Sequence, residues 1–504
     1  MRELGIFTDG TICAPATIPG TGAISIIRVS GEDSLAIADK VIDVKGESLS
    51  ETEGYRLRYG TIFSDDGSVL DNVIVSVFRA PHSYTGENSV EISCHASRFI
   101  VNAVLELLVN AGARIAAPGE FTRRAFVNGK MDLAQAEAVA DVIASQSAAA
   151  HRVAMNQLKG GFSSELKTLR EKLLTMTSLL ELELDFSEED VEFASRSELG
   201  ALVEETLAHI VRLTDSFSRG NAIKNGVPVA IVGATNTGKS TLLNALLGEE
   251  RAIVSDIAGT TRDTIEETLN LGGVMFRFID TAGIRETDEL VEKIGIERTF
   301  RKLNEASIVL GMTDLSRGED TVLSDAEYIW DKVNASSSDR EFVLLVNKCD
   351  VDGIESVAAG SAGVGSGAGY VETGSEAGCA GKAGKMARIE AALREKGIVT
   401  KMIPISAKTG SGLPELTETL AEIGRRITGD TDETLVTNIR HYEALVRAAT
   451  ALGRVQDGLK VATLPPDLIA QDLREALYHL GEIVGEISTD EVLGNIFRKF
   501  CIGK

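Results

Sequence analysis

Along the first 125 residues apolar positions recur in short alternating runs, Ala23 to Val29 and Val73 to Phe78, separated by turn-rich segments such as Ala80-Pro81-His82-Ser83 and Thr85-Gly86. Alternation at period two predicts half-buried strands, and the mixed pattern predicts a small α+β domain over residues 1–125. From Ala125 to Gly220 the period lengthens to that of a helix, without proline, through DLAQAEAVADVIASQSAAAHRVAMNQL and SSELKTLREKLLTMTSLLELEL. Residues 126–220 are therefore expected to be all-α.

Between Val227 and Arg426 apolar strands (Val229 to Val232, Val274 to Ile279, Ile308 to Met312, Phe342 to Val346, Met402 to Ile405) alternate with helical stretches. That is the pattern of a parallel α/β sheet. Residues 430–504 return to helix. An α/β domain (221–429) bracketed by two helical segments is most simply an insertion into one discontinuous helical domain. Gly353 to Lys385 holds 10 glycines in 33 residues and no periodicity, so a flexible surface insertion is expected there.

Composition refines this picture little. The 504 residues are 43% hydrophobic and 25% charged, as in a soluble multidomain protein. The formal net charge of -24 argues against a surface that is wholly a nucleic-acid footprint. Five scattered cysteines, Cys13, Cys94, Cys349, Cys379 and Cys501, form no CxxC pair and suggest neither a disulfide framework nor zinc. No export signal or membrane span is expected, and a cytoplasmic location fits.

Candidate chemistry begins with Gly233-Ala-Thr-Asn-Thr-Gly238-Lys239-Ser240, a GxxxxGK[ST] match placed after an apolar strand and before the helix-forming TLLNALLG. Backbone N–H groups of such a loop, with Asn236, Thr237 and Thr241, would wrap phosphates. Lys239 would neutralise the β and γ phosphates, and the Ser240 hydroxyl would take a magnesium position. Asp280-Thr281-Ala282-Gly283 follows the next strand, placing a carboxylate near magnesium and a glycine N–H near the γ-phosphate. Asn347-Lys348-Cys349-Asp350 follows a later strand. An aspartate there accepts from the two adjacent N–H donors of guanine, which adenine lacks. Ser406-Ala407-Lys408 after the last strand completes the base pocket, and the domain resembles the translation-factor-like GTPases.

The hydroxyl-rich stretch Ile253 to Asp263 should order around the γ-phosphate, with Thr261 as a metal candidate. Where Ras-like switches carry a water-orienting glutamine, this chain has Ile284, so hydrolysis needs another group. Glu292 lies in the charged run downstream. The Asn236 side-chain oxygen either ligates a monovalent cation or stabilises the turn.

Taken end to end, the chain resembles the bacterial tRNA modification GTPase family MnmE (TrmE). The likeness is carried by ATIPGTGAISIIRVSG, SYTGENSVEISCH, PGEFTRRAFVNGKMDLAQAEAVADVI, the inserted GTPase domain and the terminal Cys501-Ile502-Gly503-Lys504. It implies an N-terminal folate-binding and dimerisation domain, a homodimer, and a partner flavoprotein, MnmG (GidA), that carries FAD and uses NADH. Together the two would add an aminomethyl or carboxymethylaminomethyl group to the wobble uridine of certain tRNAs. The one-carbon donor would be 5-formyl- or methylene-tetrahydrofolate. Folate contacts carry over to Arg28, Glu91, Lys130 and Lys504. Magnesium carries over to Ser240 and Thr261, and potassium to Asn236, Ser255, Ile257 and Thr260. The catalytic glutamate would be Glu292, and Cys501 either a nucleophile or part of the active-site wall.

Departures from the family pattern are Thr235 and Thr237 around Asn236, Ser255 for threonine, and Cys94-His95-Ala96 where GHG is usual. His95 orients folate or is structural. The acidic cluster Asp185 to Glu192 lacks metal-ligand spacing and reads as a solvated face. A ribosome-assembly GTPase switch without modification chemistry is the alternative, although no basic KH-like segment is present.

Overall fold

The computed structural model describes residues 10–185, 196–251, 267–279, 305–336, 340–350, 376–398, 400–429, 433–460, 466–487, 490–498, 500 and 503. The chain forms two compact units, one of residues 1–144, 153–215 and 438–504, the other of residues 145–152 and 216–437.

The first unit opens with a seven-stranded sheet. Its strands are β1 (Ile12–Pro15), β2 (Ile24–Ser30), β3 (Ile42–Val44), β4 (Arg56–Phe63), β5 (Val69–Phe78), β6 (Ser89–His95) and β7 (Arg114–Ile115), in the order β3-β4-β5-β6-β2-β1-β7. All pairs are antiparallel except β1 with β7. On β5 the alternation reads directly: Val73, Val75 and Val77 are buried, while Asn72 and Ile74 point outward. The inner face packs with Leu35 and Ala38 of the helix Ser34–Val41 and with Val104 and Leu108 of the helix Arg98–Asn110. Each such side chain removed from water contributes roughly 1.5–3 kcal/mol.

Four long helices complete this unit: Gly161–Asp185, Arg196–Asp215, Ile439–Lys460 and Pro466–Val484. Buried positions recur at alternating steps of three and four, as in Leu166, Leu169, Leu173, Met176 and Leu180, or Ile469, Leu473, Ala476, Leu480 and Ile483. That spacing builds one apolar stripe per helix, which is buried where the helices pack together. Ile439–Lys460 packs on Arg196–Asp215 and Pro466–Val484, and the last of these packs on Gly161–Asp185. The bundle is therefore built from both sides of the inserted unit.

A polar node ties the third helix to an earlier one. Glu137, on the helix Leu133–Ala144, accepts from Asn438 and Arg440 at 3.0 Å each and meets His441 Nε2 at 2.7 Å. Burial alone would raise the Glu137 carboxyl, but His441 and Arg440 outweigh it and bring it down to about 2.

The second unit holds a six-stranded sheet of β8 (Val227–Val232), β9 (Glu267–Leu271), β10 (Val274–Ile279), β11 (Ile308–Asp314), β12 (Glu341–Asn347) and β13 (Lys401–Pro404), in the order β13-β12-β11-β8-β10-β9. The strands run parallel except β9, which pairs antiparallel with β10. Strand β9 was not expected. Gly272 and Gly273, at φ 59° and 85°, make the two-residue turn that joins it to β10.

Val227, Val229 and Ile231 of β8 face one core, with the helices Lys239–Arg251 and Leu413–Thr428. Ala230 and Val232 face the other, with Glu319–Ser336 and Glu376–Glu395. Burial on both faces explains the continuous apolar strands of a parallel sheet. The expected flexible insertion needs one correction, because its residues 376–385 lie in the helix Glu376–Glu395. Residues 353–375 lie outside the described residues. Among the described residues no helix is long and apolar enough to cross a membrane.

Candidate functional sites

Strand β8 lies between β10 and β11, so the sheet order switches direction at its carboxyl end, where open α/β sheets bind ligands. Gly233 to Gly238 form the loop between β8 and the helix Lys239–Arg251. Two of its glycines are required by close approach. A Cβ on Gly233 would overlap the Met312 carbonyl oxygen, and one on Gly238, at φ 102°, would overlap Asn347 Nδ2. Asn236 takes the left-handed conformation at φ 61°, which asparagine tolerates better than most residues with a side chain. Thr237 is fully buried, and its hydroxyl donates to Ala234 O at 2.9 Å. Lys239 Nζ donates to Gly233 O and Ala234 O, both at 2.8 Å. Burial pushes its pKa down by stripping hydration from the ammonium. Ser240 is half-buried in the first turn of the helix, and Thr241 is exposed.

The base-side segments converge on the same corner. Asn347 is buried at the end of β12; its Nδ2 donates to Thr237 O at 2.6 Å and its Oδ1 accepts from the Ala407 amide at 3.0 Å. One side chain thus joins the phosphate loop to Ser406-Ala407-Lys408. The Cys349 amide donates to Ile405 O at 3.2 Å, tightening the same junction. Lys348 has φ 62°, and its Nζ donates to Asp314 Oδ2 at 2.6 Å. Ser406 and Ala407 are buried, whereas Asp350 and Lys408 are exposed at the rim. Ser255, Ile257, Thr260, Thr261, Asp280, Thr281, Ala282, Gly283 and Glu292 lie outside the described residues, as do Cys501, Lys504 and most of the acidic cluster after Asp185.

In the other unit, register sets Arg28 on β2 directly opposite Glu91 on β6, and Arg28 Nε donates to Glu91 Oε1 at 2.9 Å. The Arg28 guanidinium lies 5.1 Å from the Tyr84 ring centre and 5.6 Å from that of Phe121. Tyr84 Oη and Thr122 Oγ1 are 2.9 Å apart, joining the 80–88 loop to the helix Glu120–Val127. Lys130 Nζ donates to Pro81 O at 3.0 Å, on that same loop. Near the C-terminus, a Cβ on Gly503 would overlap Pro15 O, and Pro15 pairs with Ile27, the neighbour of Arg28. Arg28 and Glu91 thus share one interior strand pair, Tyr84 joins the 80–88 loop to it, Lys130 holds the same loop, and the chain end reaches the adjoining strand.

Sequence reading missed Tyr84, Phe121 and Asp314. The first two stand inside the quoted segments SYTGENSVEISCH and PGEFTRRAF, where aromatic residues beside an arginine strand were the available signal. Cys94 is buried in the sheet core, with burial raising its thiol to about 11, while His95 points outward and hydrogen-bonds Asp71 Oδ1 at 2.7 Å through Nδ1. That contact fits the structural reading of His95.

Comparison with known proteins is decisive at the level of family. The profile of the MnmE helical domain matches residues 133–501, and that of the GTP-binding protein TrmE N-terminus matches residues 11–130. A tRNA modification GTPase MnmE of Parabacteroides distasonis is 50% identical over 497 residues, 98% of this chain and 100% of the relative. Its counterpart in Porphyromonas gingivalis is 46% identical over 508 residues, covering 100% of both chains. The chain belongs to the MnmE family. Membership in this family of tRNA modification GTPases agrees with a multidomain chain that joins a TrmE N-terminal domain, helices and an α/β sheet. The phosphate-loop corner and the Arg28–Glu91 strand pair are the two candidate sites among the described residues.

Proposed function

We propose that this chain is the GTPase component of a two-protein system that modifies C5 of the wobble uridine in certain tRNAs. The observation that carries the reading is the Asn347 side chain, which fastens the phosphate loop to the base-side segments. This is the framework that guanine-nucleotide binding needs. Lys239 would exchange its two carbonyl partners for phosphate oxygens, and Asp350 would accept from the guanine edge. The Ser240 hydroxyl, in the first turn of the helix that follows the phosphate loop, fits a magnesium position, with Thr261 as the second protein ligand. Asn236, Ser255, Ile257 and Thr260 would hold potassium. When bound, the cations supply positive charge to the phosphates and the folate supplies a one-carbon unit. With Ile284 unable to hold water, Glu292 would orient the attacking water.

Arg28, Glu91, Lys130 and Lys504 would contact the folate. A charged pair flanked by two aromatic rings fits a flat, hydrogen-bonding heterocycle. Cys501 would stand in the wall of that site or act as nucleophile. The outward sheet face carries exposed Leu57, Tyr59 and Ile74, with Tyr59 directly opposite Ile74, which supports homodimer formation through residues 1–125. Residues 126–220 and 430–504 would form the helical domain and 221–429 the GTPase domain. The formal charge of -24 suits a division of labour in which the flavoprotein MnmG, with its FAD and NADH, carries most of the tRNA-binding surface, in the cytoplasm.

Mass-spectrometric nucleoside analysis of tRNA from cells depleted of this chain tests the reading. The wobble modification should vanish and return with wild type but not with Lys239→Ala. Persistence of the nucleoside, with accumulating ribosomal precursors, would favour a ribosome-assembly switch instead.

A further inference from the structure

Asp314 ends β11 at the register position of Asn347 on β12, outside the nucleotide motifs. Its carboxylate is only 4% exposed. Oδ1 accepts from the Ser316 amide at 3.0 Å and from its hydroxyl at 2.6 Å, and Oδ2 accepts from Lys348 Nζ at 2.6 Å. A buried carboxylate is costly unless its oxygens are answered. Here a local turn answers one oxygen and a motif lysine answers the other.

Lys348 also bears a backbone cost, since φ 62° is disfavoured for a residue with a side chain. That left-handed residue turns the chain between Asn347, whose amide is fixed on both sides, and Asp350, exposed at the rim. The turn is thus anchored at Asn347 by hydrogen bonds to backbone and at Lys348 by the Asp314 carboxylate.

We propose that Asp314 is a positioning residue for guanine recognition, its carboxylate holding Lys348 in the turn that sets Asp350 against the base edge. The inference rests on the base-pocket reading above and adds a residue to it. Disturbing Asp314 should loosen reading of the guanine edge more than grip on the phosphates. Inosine lacks the exocyclic amine of guanine, so the ratio of GDP to IDP affinity reports where the Asp350 carboxylate stands.

The test is equilibrium binding of fluorescent GDP and IDP to the full chain. Asp314→Asn keeps an acceptor for Ser316 and removes the charge that holds Lys348. It should weaken GDP binding about tenfold, equivalent to ~1.4 kcal/mol, and IDP binding by less, so the preference falls severalfold. Lys348→Met tests the same link without altering the buried acid, and it should lower the preference similarly. The double variant should add less than about twofold to either single change. An unchanged GDP-to-IDP ratio in either single variant, equal losses for both nucleotides, or full additivity overturns the proposal. Asp350→Asn, assayed alongside, should exchange guanine for xanthine nucleotides. Failure of that exchange sinks the base pocket itself, whereas a normal exchange with an unmoved Asp314→Asn ratio sinks only the role of Asp314.

Discussion

The cations heading the two sites have different neighbours. Lys239 is held by two backbone carbonyls, and among the described residues no carboxylate pairs with it. Arg28 already has its countercharge in Glu91 and two rings nearby. A half-buried ammonium whose partners among the described residues are neutral dipoles retains a demand for an anion. A guanidinium already neutralised by a carboxylate has no such demand and offers directional donors, a flat face and little net charge. The contrast supports the proposal that the first site takes phosphate and the second a largely uncharged heterocycle.

Removing the Lys239 charge should have the largest effect on ligand binding. Lys239→Ala is expected to lower GTP affinity by on the order of 100-fold or more, since the half-buried cation that would meet the phosphates is lost outright. Calorimetric titration with a GTP analogue measures it, and retained affinity would mean that the loop does not bind phosphate through Lys239. Glu137 is the opposite case, a buried acid whose carboxylate is answered by Asn438, Arg440 and His441. Its folded value of about 2 lies below the ordinary 4.5, so its contribution to stability is complete above that value and drains as pH falls toward 2. Glu137→Gln should cost ~3–5 kcal/mol at neutral pH and flatten the acid limb of the stability profile. Denaturant melts at pH 7 and pH 4 decide between this and a merely solvated pair. The Arg28 prediction is smaller. Arg28→Lys keeps the charge but loses the planar group, and folate affinity should fall about tenfold with stability nearly unchanged. Equal affinity would remove the rings from the site.

How much of this could be read from sequence depended on the range of the interaction. The strands β8, β10, β11, β12 and β13 were legible to within about two residues because burial on both faces leaves continuous apolar runs. The phosphate-loop residues were legible because their spacing is local. Strand β9 was hidden because ETLNL is short and mixed, although Gly272-Gly273 marked its turn. The helix Glu376–Glu395 starts inside a glycine-rich stretch, where Gly378, Gly381 and Gly384 mask its periodicity. Arg28 and Glu91 were reached only by resemblance, each as a separate folate contact, and their pairing was not read at all, since sheet order cannot be computed from either segment alone. Glu137 with Arg440, and Asp314 with Lys348, escaped altogether. Both depend on which chain segments fold side by side, and no periodicity records that.

The smallest effect probes how the uncompensated lysine is held. Within the loop Ala234 O accepts from both Lys239 Nζ and the Thr237 hydroxyl, so Thr237 shares the carbonyl that restrains the lysine. Thr237→Val preserves the buried volume and removes one hydrogen bond, worth about 0.5–1.5 kcal/mol. Ala234 O then has Lys239 as its remaining side-chain donor among these contacts, which strengthens the grip that phosphate must break. GTP affinity should fall about two- to fivefold, and the ratio between potassium and sodium buffers should stay constant, because the lost bond faces the loop interior. A changed cation ratio would instead place Thr237 at the cation site with Asn236. An increase in affinity would mean that Lys239 is better poised without its neighbour, and that the lysine's carbonyl cage opposes binding less than its geometry implies.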